Sequence, residues 1–74
     1  DLEQAESYLL KLIDKGVGDE NTLAMLIKLY MHSGLDERNA YIKLYTYLEN
    51  HYRKLGENEI ADEYVNALEK LSMY

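Results

Sequence analysis

The two histidines are the side chains best suited to metal binding or acid–base chemistry. His32 and His51 are the only histidines, and the chain has no cysteine. Glu49 and His51 are two residues apart, so they do not share a helical face. A metal or acid–base site needs further ligands or a partner at fixed geometry. We therefore expect His51 near the core and His32 at the surface close to a helix end, with no metal site and no cofactor.

Adjacent acidic residues are the other candidates for chemistry, because carboxylates can bind calcium or act as acid and base. They occur as the pairs Asp19-Glu20, Asp36-Glu37 and Asp62-Glu63. No calcium-loop spacing is present, and each pair falls at or near a predicted helix start, where carboxylates cap backbone amides. No serine has a plausible base and no glycine-rich phosphate loop occurs. We expect that the protein is not an enzyme.

Glycines divide the chain into four helices, and there is no proline. Apolar residues recur with helical spacing between Gly16, Gly18, Gly34 and Gly56. The predicted helices cover residues 2–15, 20–33, 37–55 and 58–72. No segment alternates with period two, so the sequence predicts an all-α fold in a single domain over residues 1–74.

The second helix carries apolar residues nearly all round, with Lys28 inside the apolar run of residues 23–31. Such a helix must be covered on more than one side, so we expect it to be the most buried element. Short connections predict antiparallel neighbours, in either a stacked array or a closed four-helix bundle.

An internal repeat favours the stacked array. Four residues of the first helix recur thirty-five positions later, when Ala5, Leu9, Leu12 and Ile13 are aligned with Ala40, Leu44, Tyr47 and Leu48.

The second and third helices resemble a tetratricopeptide unit in their large, small and turn residues. The matching residues are Leu23, Leu26, Ile27, Tyr30, Gly34, Ala40, Leu44 and Tyr47. Over a longer stretch, from Ala5 to Leu71 and including the run 40–45, the chain resembles the C-terminal part of the bacterial transcriptional activator domain. That resemblance implies a right-handed tetratricopeptide-like array, attached to winged-helix DNA-binding domains, that serves protein contacts and regulation without catalytic residues. On this basis we expect a fragment of a larger cytoplasmic transcription regulator.

Charge and hydropathy bear on two other classes of protein, those that bind DNA and those that span a membrane. The net charge is -6, although residues 28–56 carry five basic and three acidic side chains. A helix-turn-helix would place Arg38 and Lys43 near DNA, but an acidic molecule repels phosphate, so we expect no nucleic-acid contact. The longest apolar stretch, Leu23–Ile27, is far below the roughly 20 residues of a membrane span. A scaffold unconnected with transcription and, less favoured, a DNA-binding helical domain stay as alternatives.

Two surfaces are candidates for a protein partner, which could be another domain of the parent protein, a second copy or another regulator. One combines an arc of the second helix about 80° wide with the acidic fourth helix. It contains Asn21, Ala24, Lys28, His32, Asp62, Glu63 and Asn66. The other is an aromatic strip of Tyr41, Tyr45 and Tyr52, for which we favour packing against the fourth helix. We also expect self-association through the face of the first helix that carries Leu2, Leu9 and Leu10.

Overall fold

A computed structural model describes residues 1–73, which contain four α-helices and no strand. The helices are α1 (Leu2–Asp14), α2 (Glu20–His32), α3 (Glu37–Lys54) and α4 (Asn58–Ser72). The all-α prediction is confirmed. The predicted starts coincide with the observed ones, and the predicted ends differ by at most one residue.

Carboxylates fix the beginnings of the first three helices. Asp1 accepts a hydrogen bond of 2.9 Å from the amide of Gln4, and Asp36 accepts one of 2.8 Å from the amide of Asn39. Asp19 forms a complete capping box: its Oδ1 accepts from the amide of Thr22 at 3.1 Å, and Thr22 Oγ1 accepts from the amide of Asp19 at 3.2 Å. These bonds satisfy amides that have no partner inside the helix.

The same backbone motif terminates α1, α2 and α3. Each is followed by a glycine with positive φ, which is 76° at Gly16, 118° at Gly34 and 79° at Gly56. The residue after each glycine donates its amide to a carbonyl five positions back, as in the bond of 3.1 Å from Leu35 to Tyr30. This pair of features is the Schellman motif, which only glycine adopts without steric cost at the left-handed position.

The chain divides into two compact units, and the boundary between them falls within α3. The first comprises residues 1–40, and the second begins at Tyr41. In the first unit α1 packs against α2. Its core holds Leu9 and Ile13 from α1 together with Leu26, Ile27 and Tyr30 from α2.

The connection between α1 and α2 lies directly on this core. A Cβ placed on Gly18 would lie 3.1 Å from Cγ1 of Ile13 and 3.3 Å from its Cα. A side chain at position 18 would therefore collide with the buried Ile13. This contact explains why glycine suits the position.

The second unit contains the part of α3 from Tyr41 onward and the whole of α4. Leu44, Leu48 and Ala61 are buried in it. The apolar stripe of α4 is half-buried at Ile60, Tyr64, Val65, Leu68 and Leu71. The choice between a stacked array and a closed bundle stays a prediction.

Candidate functional site

The predicted arc of α2 is at the surface. Asn21, Ala24, Lys28 and His32 are all exposed. The opposite side of the same helix is the core of the first unit, where Leu26 is 0% and Tyr30 2% exposed. The prediction that His32 lies at the surface close to a helix end is confirmed, because it is the last residue of α2.

Two methionines extend this arc on both sides. Met25 is 55% and Met31 42% exposed. By the helical period of 100° per residue, Met25 lies about 20° beyond His32 and Met31 about 20° beyond Ala24. Together these six residues form one exposed surface, called here the α2 strip: Asn21, Ala24, Met25, Lys28, Met31 and His32.

The α2 strip corrects the prediction that α2 is covered on more than one side. α2 does contribute more buried residues than the other helices, namely Thr22, Leu26, Ile27 and Tyr30. However, the helix buries a single face within the described residues, which leaves both methionines exposed. Sequence periodicity missed them because it records which residues are apolar and not which of them meet a neighbour.

The chemistry of the α2 strip suits an apolar and acidic partner. Methionine has a flexible, polarisable side chain that adapts to irregular surfaces. Lys28, between the methionines on the helix, offers an apolar stem and an ammonium group, and His32 adds a ring that can form hydrogen bonds. An apolar side chain could lie against the thioethers while a carboxylate meets Lys28.

The predicted residues of α4 belong to the second unit, whereas the α2 strip belongs to the first. Asp62, Glu63 and Asn66 are exposed. The pair Asp62-Glu63 lies inside α4, which begins at Asn58, so these two residues do not cap the helix.

Asp62 instead takes part in an ion-pair network that sequence reasoning missed. Arg53 Nη2 donates to Oδ1 of Asp62 at 3.0 Å, and Arg53 Nε donates to Oε2 of Glu49 at 3.2 Å. The hydrogen bond to Asp62 is the main cause that raises the pKa of Arg53 above its ordinary value. A signal was present in the sequence, since Arg53 lies in the last turn of one helix and Asp62 begins the second turn of the next.

The aromatic strip packs against α4, as we favour from the sequence. Tyr64 of α4 lies 5.4 Å from Tyr45 and 5.9 Å from Tyr52 between ring centroids, and the second pair is stacked with an interplanar angle of 7°. Tyr41 lies 5.5 Å from Tyr45. All four rings are half-buried. We call these residues the tyrosine cluster.

Burial raises the pKa of two members of the tyrosine cluster, Tyr45 and Tyr64. Desolvation is the largest cause that raises the pKa of Tyr64 above 10.0, with smaller contributions from Tyr52, Tyr45 and Glu63. Desolvation, followed by the charge of Tyr41, likewise raises the pKa of Tyr45. His51, half-buried as predicted, lies edge-on to Tyr52 with 5.0 Å between centroids.

The prediction of a self-association face on α1 is wrong, because one of its three residues is not at the surface. Leu9 is 5% exposed because it belongs to the core of the first unit. Leu10 is half-buried, and Leu2 is exposed. Without Leu9, these two residues do not make a continuous apolar face.

Residues 1–73 contain no group of three or more histidine, cysteine, aspartate or glutamate side chains placed to hold a metal ion. Over the same residues, no helix combines the length and the hydropathy needed to cross a membrane.

Comparisons of the chain with protein-family models, with curated proteins and with solved structures found no match. What the described residues define is a class: an all-α protein in which one helix buries one face and exposes methionines on the other.

Proposed function

We propose that this chain is a protein-interaction module that binds a partner segment along the α2 strip. The observation that carries the proposal is the exposure of Met25 and Met31 on a helix whose other face holds the buried Leu26 and Tyr30. Exposed apolar surface bordered by polar groups is typical of protein-binding sites. The partner that fits is a segment with apolar side chains and at least one carboxylate opposite Lys28.

We place this module within a bacterial transcription regulator. The support is the resemblance of residues 5–71 to the bacterial transcriptional activator domain, together with the helical fold that the resemblance implies. In this proposal the module acts by contact with protein and leaves contact with DNA to other parts of the regulator. The acidic net charge of -6 agrees with that division.

A photocrosslinking experiment in the proposed regulator tests the site. A benzophenone amino acid at position 25 should yield a covalent adduct with a partner, and Lys28→Glu should abolish that adduct. The same photoreactive residue in place of Met73, an exposed methionine outside the α2 strip, is the control. Equal adducts from both positions, or an adduct that survives Lys28→Glu, would contradict the proposal.

A reporter assay separates the alternatives for function. Lys28→Glu and His32→Ala should change transcriptional output while the circular dichroism of the chain stays the same. Loss of the adduct with unchanged output would indicate a scaffold unconnected with transcription. Retention of the isolated chain on DNA that falls steeply with salt would instead indicate a DNA-binding domain.

A further inference from the structure

The tyrosine cluster forms a continuous chain of ring contacts that the proposed function does not use. Tyr41 contacts Tyr45, Tyr45 contacts Tyr64, and Tyr64 contacts Tyr52, with centroid distances from 5.4 to 5.9 Å. These distances lie within the range of about 4.5–7 Å over which aromatic rings interact directly. Tyr64 is the member on α4, and it contacts two rings of α3.

We infer that the tyrosine cluster is a site of oxidative modification, at which a one-electron oxidant joins Tyr45 to Tyr64 through a dityrosine bond between α3 and α4. The inference is independent of the α2 strip and of transcription. It rests on the contacts that Tyr64 of α4 makes with Tyr45 and Tyr52 of α3.

The reaction balances with two equivalents of oxidant. Each phenol loses one electron to the oxidant and one proton to water, which leaves two tyrosyl radicals. The radicals couple between ring carbons ortho to the oxygens, and the two displaced ring hydrogens move to those oxygens and restore the phenols. The product is lighter than the protein by two hydrogens, and the two electrons reside on the reduced oxidant.

The geometry selects Tyr45 over Tyr52 as the partner of Tyr64. Tyrosyl radicals couple through the π orbitals of the ring carbons ortho to the oxygens, so the pair with the shortest separation between α3 and α4 is favoured. Tyr45 and Tyr64 are inclined by 51° and are the closest pair of the tyrosine cluster, at 5.4 Å. Tyr52 and Tyr64 lie further apart, at 5.9 Å.

Tyr41 and Tyr52 provide routes by which a radical reaches the reacting pair. A radical formed first on Tyr41 or Tyr52 has a neighbouring ring to which it can pass, and both routes lead to the pair Tyr45 and Tyr64. Because burial raises the pKa of Tyr45 and Tyr64, both phenols are neutral at physiological pH, and each oxidation releases a proton.

The test exposes the whole chain, at low concentration, to light, persulfate and tris(bipyridyl)ruthenium as the one-electron oxidant. We expect a monomeric product two hydrogens lighter that shows dityrosine fluorescence. Trypsin should release peptide 44–53 bound to peptide 55–70, and fragmentation should place the bond at Tyr45 and Tyr64. The same treatment in concentrated guanidinium chloride should spread the products over many tyrosines.

Conservative variants sharpen the test. Tyr64→Phe and Tyr45→Phe should abolish the product that joins peptides 44–53 and 55–70, whereas Tyr52→Phe and Tyr8→Phe, the latter in α1, should retain it. The bond should also raise the thermal midpoint, because it restricts the unfolded chain. A product mapped to other tyrosines, an equal pattern in folded and denatured protein, or full yield in a folded Tyr64→Phe variant would overturn the inference.

Discussion

The guanidinium of Arg53, near the end of α3, donates from Nη2 to Oδ1 of Asp62 in α4 over 3.0 Å. The side chain of Asp62 is 67% exposed, so water and salt screen the pair. The bond therefore orients two helices of the second unit with a modest gain in stability.

Removal of the charge of Asp62 should show this modest gain directly. We expect Asp62→Asn to lower the thermal midpoint slightly at low ionic strength and to have no effect at high ionic strength, because salt screens the pair. Glu63→Gln removes the same charge one residue further along α4 and serves as the control. If both variants respond alike, the effect comes from net charge and not from Arg53.

Leu26 should be the residue of α2 least tolerant of truncation. It is 0% exposed, so Leu26→Ala should reduce the free energy of unfolding by about 2–5 kcal/mol through lost burial and a residual cavity. Met25→Ala, on the exposed side of the same helix, should change it by about 0.5 kcal/mol or less. Urea denaturation followed by circular dichroism measures both. Similar losses in the two variants would show that the α2 strip is packed.

The capping box at Asp19 should contribute measurably to the stability of α2. Asp19→Ala leaves the amide of Thr22 without its acceptor and should cost about 0.5–2 kcal/mol in chemical denaturation. Asp19→Asn keeps an oxygen at the same place and should retain most of the stability. An equally destabilised Asn variant would assign the effect to charge at the helix terminus.

Gly34 should resist substitution because its φ is 118°. Gly34→Ala places a Cβ in a backbone region that costs an L-residue about 1–3 kcal/mol, although no atom lies within 4 Å of that Cβ. Gly34→Asn should lose less, since asparagine tolerates positive φ better than alanine. Thermal denaturation of the two variants separates backbone strain from steric contact.

The tyrosine cluster should make stability fall in alkaline solution. Burial raises the pKa of Tyr45 and Tyr64 above 10.0, so the folded state favours the neutral phenols. That contribution is complete below the unfolded pKa near 10.0 and is lost as pH rises through the folded values. Denaturation at several pH values, with Tyr64→Phe as the control, should show a smaller alkaline loss in the variant.

The helices could be predicted closely because their boundaries are local. Asp1 and Asp36 cap helices through side-chain bonds to amides three residues on. The glycines end helices through their own backbone angles. Neither device depends on distant parts of the chain, so the sequence alone reveals both.

The site was less accessible to sequence reasoning because exposure depends on neighbours. Met25 and Leu26 are adjacent apolar residues, yet one is exposed and the other fully buried. Helical geometry identified the polar arc of Asn21, Ala24, Lys28 and His32, but not the methionines that border it. For the same reason, Leu9 looked free to bind a second copy although it packs inside its own unit.

The Schellman motifs have a consequence for hydrogen exchange. Val17, Leu35 and Glu57 lie outside the helices, yet their amides donate to Leu12, Tyr30 and Tyr52 over 3.0, 3.1 and 2.9 Å. Amides in short connections ordinarily exchange with deuterium at once, whereas these three should exchange at rates like those of the last helical turn. In a two-dimensional NMR spectrum recorded after transfer to heavy water, each connection would keep one slowly fading peak, and the three peaks would report separately on the opening of three helix ends.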